Sequence, residues 1–158
     1  MAIVGRDRFK QVLVAFWALW WAIAFLTDFN GGLIQLGFTT TKWLAGDNYP
    51  SLHNTLAAYG TPTWLAVMLF VGIICWSGLS TLLLAKAALT PFRPREGWLK
   101  SVDRAFIVSL GLWLAFFIAD QIFLKFGLEE NHMVQGGFQL LSYIAIHILP
   151  DDARQSGP

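Results

Sequence analysis

Charged side chains drop out of this sequence in long blocks, and the blocks set its expected architecture. Val12 to Thr27 carries no charge until Asp28, and Trp64 to Ala85 none until Lys86. Ala105 to Ala119 is a third uncharged run, continued through Asp120 to Leu124. Met133 to Leu149 is the fourth and the least apolar, stopping at Pro150 before Asp151 and Asp152. A membrane-crossing helix needs about 20 mostly apolar residues. The pattern therefore predicts spans at about 11–28, 62–86, 104–125 and 132–149. The expected fold class is all-α, an integral membrane four-helix bundle forming a single domain.

Punctuation residues agree with these blocks. In "GTPTW", Thr61 is placed to cap a helix whose first position is Pro62, where a missing N–H costs nothing. "TPFRPREG" puts two prolines after the second span and breaks it. Asn131 is the expected cap of the fourth helix, with Glu129 and Glu130 at its positive dipole end. The first connection is long, and "SLHNTLAAYG" within it predicts a short amphipathic helix over 51–60, with Ser51 as cap and Gly60 as stop. Leu52, Leu56 and Tyr59 share one face there, which suits a segment lying on the membrane surface or dipping into it.

Charge fixes the expected orientation. With the N-terminus inside, the inner face collects Arg6, Arg8, Lys10, Lys86, Arg93, Arg95, Lys100, Arg104 and Arg154, while Lys42 and Lys125 alone fall outside. That asymmetry follows the rule that cytoplasmic loops are rich in Lys and Arg. It predicts a multi-pass protein of the bacterial inner membrane with both termini cytoplasmic and the surface helix in the first, outer loop. The first apolar run is too long for a cleaved signal and lacks a small-residue cut site. Trp64 and Trp98 are expected near the two interfaces.

Composition supports lipid as the solvent. The 158 residues are 56% hydrophobic and only 13% charged, half the roughly 25% of soluble domains. No basic stripe survives the topology, so nucleic acid is not an expected partner; membrane lipids and other integral membrane subunits are. The single cysteine, Cys75, sits inside an apolar run and allows no intramolecular disulfide and no C-x-x-C site.

Topology then sorts the polar residues. Asp28, Asp120, Gln121, His132 and Gln135 gather toward the outer ends of their helices, and the first connection brings Asp47 and His53 to the same side. Asp120, His132, Glu129 and His53 are thus candidate metal ligands. Glu129 and His132 have the E-x-x-H spacing of carboxylate metal proteins, but those carry the motif twice. A plain polar helix end, with Asp120 hydrogen-bonded inside the bundle, competes with this reading. Haem fares worse: His132 and His147 lie fifteen residues apart on one helix, about 22 Å, and cannot share an iron. Only His53 and His132 could do so.

Helix four carries a polar row, Gln135, Gln139, Tyr143 and His147, matched by Ser109, Trp113, Phe116 and Asp120 on helix three. Amides and small residues join helices where lipid offers no hydrogen-bond partner, so the rows are expected to face each other or a partner subunit. Gln135, Gln139 and Tyr143 would alternatively line a pocket for a quinone, lipid or pigment. "FWALWW" adds Trp17, Trp20 and Trp21, suited to core packing, lipid contact or an interface.

The stretch "NTLAAYGTPTWLAVMLFVGIICWSGLSTLLLAKAAL" resembles the second-helix region of DoxX-like small membrane proteins. Tyr59-Gly60-Thr61-Pro62 and the small residues around Gly78 carry the resemblance, over about a quarter of the chain. It implies four helices with both ends inside, and association with redox or respiratory complexes. Members often carry an acidic residue where this chain has Ser77, and no catalytic residue is carried over.

Three functions remain in view. The leading expectation is a non-catalytic accessory subunit of a larger membrane complex, of electron transport or photosynthesis. The second is a small quinone- or metal-linked redox protein using Asp28, His53, Asp120, Glu129 and His132. The third, a carrier using the polar row of helix four, lacks the internal repeat and interrupted spans common in carriers.

Overall fold

The computed structural model describes residues 5–44 and 46–152. Arg154, counted above among the inner basic residues, lies outside the described residues. The protein is all-α: the described residues form α1 (Arg6–Gln35), α2 (Asn48–Ala57), α3 (Thr63–Leu89), α4 (Arg95–Ile122) and α5 (Phe126–Ile148), with no strand. Three of these, α1, α3 and α4, are long and apolar enough to cross a membrane. The 23 residues of α5 fall short of that apolarity.

The start of α3 and the end of α5 fall within a residue of their expected places, and several other boundaries differ for local reasons. Asp28 does not end α1. Its carboxylate accepts a hydrogen bond from Asn48 Nδ2 at 2.6 Å, so α1 runs on past it through Asn30. Asn30 ties down the following loop, donating to the Thr41 carbonyl (3.1 Å) and accepting from the Trp43 N–H (2.9 Å). The helix stops at Gly37, whose φ of +76° suits a residue without Cβ, with the Phe38 N–H closing on the Leu33 carbonyl.

Asp47, not Ser51, precedes α2, and the Ser51 carbonyl accepts the Thr55 hydroxyl one turn later. Leu56 and Tyr49 are the buried face of α2, while Tyr59 lies beyond the helix against Phe123. Thr61 does not cap α3. Its hydroxyl donates to the Leu56 carbonyl at the end of α2, and Pro62 takes the cap position.

The prolines of "TPFRPREG" do break the chain, but α4 starts immediately after Pro94, nine residues before the expected 104. Trp98, expected near a membrane interface, is fully buried against Phe92, with ring centroids 4.7 Å apart. The α4–α5 turn is short. Leu124 takes a left-handed conformation (φ +52°) and the Lys125 N–H bonds the Asp120 carbonyl, so α5 begins at Phe126 and Asn131 lies inside it.

Neighbouring helices pack antiparallel. Helix α1 lies on α3, α3 on α4, α4 on α5, and α5 returns to α1, while α2 rests on α1 and α3. Small residues set the close approaches: Gly78 faces Phe25, and Gly111 faces Trp76, whose indole N–H donates to the Val108 carbonyl at 2.8 Å. The core is aromatic, built on Trp17, Trp21, Trp98, Phe106 and Trp113.

Polarity is arranged inside-out. Phe9, Val12, Phe16, Leu19, Ile23 and Leu26 recur along α1 and are all exposed, and Leu114, Ile118, Phe138 and Leu141 do the same on α4 and α5. Lys10, Asn30, Ser80, Ser109 and Gln139 are buried instead. In water such an exterior is an aggregation surface; in lipid it costs nothing, and Lys10 and Gln139 among the buried polar groups join one helix to another.

Candidate functional site

The polar residues converge on the α4–α5 seam, in three tiers. At its centre Gln139, fully buried, accepts hydrogen bonds through Oε1 from the indoles of Trp113 (2.7 Å) and Trp21 (3.3 Å). Its Nε2 donates to Ser109 Oγ at 2.7 Å, and that hydroxyl donates onward to the Ala105 carbonyl at 2.9 Å. One amide thereby links α1, α4 and α5. The helices come close enough because position 136 is glycine: a Cβ there would meet Phe117 Cζ at 2.9 Å and Trp113 Cγ at 3.1 Å.

At one end of the seam His132 Nδ1 lies 2.5 Å from Asp120 Oδ2. The imidazole stacks on Phe116 (centroids 4.9 Å, planes 21° apart), which fixes its orientation. The pair is largely buried, with side-chain exposures of 22% and 10%. At the other end Asp103 Oδ1 accepts from the Tyr143 hydroxyl (3.1 Å) and lies 3.0 Å from His147 Nε2. The seam thus carries a carboxylate–imidazole pair at each end, with a neutral amide hub between them.

Of the four candidate metal ligands, the structure joins Asp120 and His132. Glu129 stays in the first turn of α5, and His53 sits on α2 with its ring 6.0 Å from Tyr49. Asp28 is engaged by Asn48 rather than by a histidine. The five residues are therefore not joined in one cluster: on α2 it is the exposed Asn48 that reaches Asp28 and Tyr49 that is buried, while His53 lies beside Tyr49. Among the described residues no group of three or more His, Cys, Asp or Glu side chains is placed to hold a metal ion.

The row expected to line a cofactor pocket is used differently. Gln139 and Tyr143 are engaged with α4, and Gln135 donates to Asn131 along its own helix (3.1 Å). None of the three lines the cleft of about 450 Å³ beside α2 or the apolar groove of about 550 Å³ around Trp76. The tryptophans of "FWALWW" serve the core: Trp20 and Trp21 both lie 5.3 Å from Trp113. Asp103 escaped the sequence reading: six residues before Ser109, it stands about 120° around α4 from the row Ser109, Trp113, Phe116 and Asp120.

A second polar centre, also not anticipated, joins the chain ends. Lys10, fully buried, donates to the Leu149 carbonyl (2.6 Å) and to Asp151 (2.7 Å), and Arg95 pairs with the other Asp151 oxygen (3.1 Å). Asp152 caps α1 from across the molecule, accepting the N–H groups of Arg6 (3.0 Å) and Asp7 (3.2 Å). Asp7 in turn accepts the Asp152 N–H and pairs with Arg93. The Asp7 N–H, followed by the Arg6 N–H and guanidinium, holds the Asp152 carboxyl below the usual carboxylate range.

Comparison of the chain with protein-family models, with curated proteins and with solved structures finds no match in any of the three.

Proposed function

We propose that this protein is a non-catalytic accessory subunit of a larger complex in the bacterial inner membrane, of electron transport or photosynthesis, crossing it four times with both ends in the cytoplasm. The observation that carries the structural half is the Lys10–Asp151 contact, which seats the end of α5 on the start of α1. If α1, α3 and α4 each cross, the chain leaves α4 on the far side, and α5 must return over the same distance. Its 23 residues span about 34 Å, enough for a hydrocarbon core of about 30 Å. The cations Arg6, Lys10, Arg93 and Arg95 at that shared end favour the cytoplasmic side.

The accessory role is supported by how the buried polarity is spent. Gln139, Ser109 and both indoles satisfy one another, so the hub holds helices and leaves no converging polar groups for a substrate. The apolar aromatic exterior suits packing against lipid and other membrane subunits. The likeness to DoxX-like proteins points the same way, toward redox complexes. Mild solubilisation followed by native electrophoresis tests this: co-migration with a larger assembly is expected, and migration as a lone 17.7 kDa species in every detergent contradicts it.

The Asp120–His132 pair favours a second reading, a quinone- or metal-linked redox protein. A largely buried imidazole oriented by a carboxylate is suited to exchanging a proton with a quinone head group or supplying metal ligands. Stoichiometric quinone or metal in the purified protein, lost in His132→Ala, would establish it.

A further inference from the structure

The outer end of the molecule holds a cleft of about 450 Å³ between α2 and the α4–α5 turn, walled by Ser51, Asn54, Thr55, Tyr59, Phe123 and Lys125. We propose that it binds the negatively charged head group of an anionic phospholipid through its phosphate. Three donors meet there with no carboxylate among the lining residues: the Ser51 hydroxyl, the Asn54 amide and the Lys125 ammonium.

These donors are available. Lys125 forms no ion pair among the described residues, whereas Lys42, the other outer lysine, is held by Asp47 at 2.8 Å. Ser51 and Asn54 lie one turn apart on the exposed side of α2, and neither side chain spends a donor within the described chain; the Thr55 hydroxyl, by contrast, is taken by the Ser51 carbonyl. A cation beside two neutral donors is the set that a phosphate oxygen satisfies. Tyr59 and Phe123, with centroids 5.3 Å apart, supply an aromatic wall of the kind favoured where acyl chains meet head groups. A single lysine close to a membrane surface favours anionic over neutral lipid by roughly fivefold.

The test is lipid retention by the full chain, purified in neutral detergent and titrated with phosphatidylglycerol or phosphatidylcholine, read by native mass spectrometry. The expected result is a roughly fivefold preference for phosphatidylglycerol, lost in Lys125→Gln, weakened in the Ser51→Ala, Asn54→Ala double variant, and kept in Lys86→Gln at the opposite end. These cleft residues are exposed, so folding is not at stake. A glycerol 3-phosphate arm separates the sources. Displacement of lipid by the soluble phosphoester shows that the head group suffices, and failure to displace shows that the acyl chains contribute; both uphold the phosphate site. Equal retention of the two lipids, or a preference that survives Lys125→Gln, overturns it.

Discussion

Lys10 Nζ and Asp151 Oδ1 lie 2.7 Å apart, with the lysine side chain wholly out of solvent and 140 positions of chain looping between them. A fully buried lysine is rare unless paired, and here the pair closes the molecule at its charged end. Replacing Lys10 with Met leaves the Leu149 carbonyl without a donor and Asp151 with Arg95 alone. Stability should fall by about 2 kcal/mol, less than for a wholly buried pair because Asp151 keeps a partner and some solvent. Unfolding in mixed micelles measures this. Adding Asp151→Asn to Lys10→Met should cost less than the sum of the single changes.

Adjacent glycines on α5 should respond in opposite ways. A Cβ at Gly136 collides with Phe117 and Trp113, whereas one at Gly137 meets nothing within 4 Å. Gly136→Ala should destabilise by about 1–3 kcal/mol through overpacking. Gly137→Ala should be neutral or stabilising by up to about 1 kcal/mol, through helix propensity alone. The same unfolding assay on both variants checks the contrast.

The hub predicts a cost for an apolar substitution of matched size. Gln139→Met strands two indole N–H groups and the Ser109 acceptor in a dry core. A loss of about 1–3 kcal/mol is expected from unsatisfied buried groups. Near-ultraviolet circular dichroism should change with it, since Trp21 and Trp113 lose their fixed partner.

Acid should loosen the charged end. The Asp152 carboxyl is held below its ordinary value, so its contribution is complete above about pH 4, the unfolded carboxylate value. That contribution is lost as the pH falls through the lower folded value. Asp152→Asn should therefore be less stable than the parent at pH 7, with the gap closing toward pH 3. A gap of constant size across that range would show that the carboxylate charge is not what caps α1.

Much of this architecture could be read from the order of residues, and the gaps have a common physical origin. Uncharged runs located α1, α3 and α4 but placed most of their ends wrongly, because a run without charge marks contact with lipid rather than the extent of hydrogen-bonded helix. The ten residues from Arg95 to Arg104 are helical although charged, since Arg95 is neutralised by Asp151 and Lys100 pairs with Glu96 one turn away. Asp28 looked like a terminator because its partner, Asn48, lies 20 residues on.

The seam was more legible than the ends. Gln139 facing Ser109 and Trp113 followed from matching two helical rows, because antiparallel neighbours with a short turn must align them. The Asp103 contacts and the Asp152 cap join residues 40 or more positions apart, and spacing along one helix carries no trace of such pairs. Of the E-x-x-H pair Glu129 and His132, the structure brings His132 to Asp120 and leaves Glu129 in the first turn of α5, a pairing that spacing along one helix does not specify.

Four crossings with both ends on one side can be measured directly. In a Cys75→Ser background, single cysteines at Arg8, Lys42, Glu96, Lys125 and Pro150 are probed in intact cells with a membrane-impermeant maleimide. Positions 42 and 125 should label from outside, and positions 8, 96 and 150 only after the membrane is opened. Labelling of position 150 from outside while position 8 stays protected would mean that α5 does not return across the membrane, and would contradict the topology proposed for this chain.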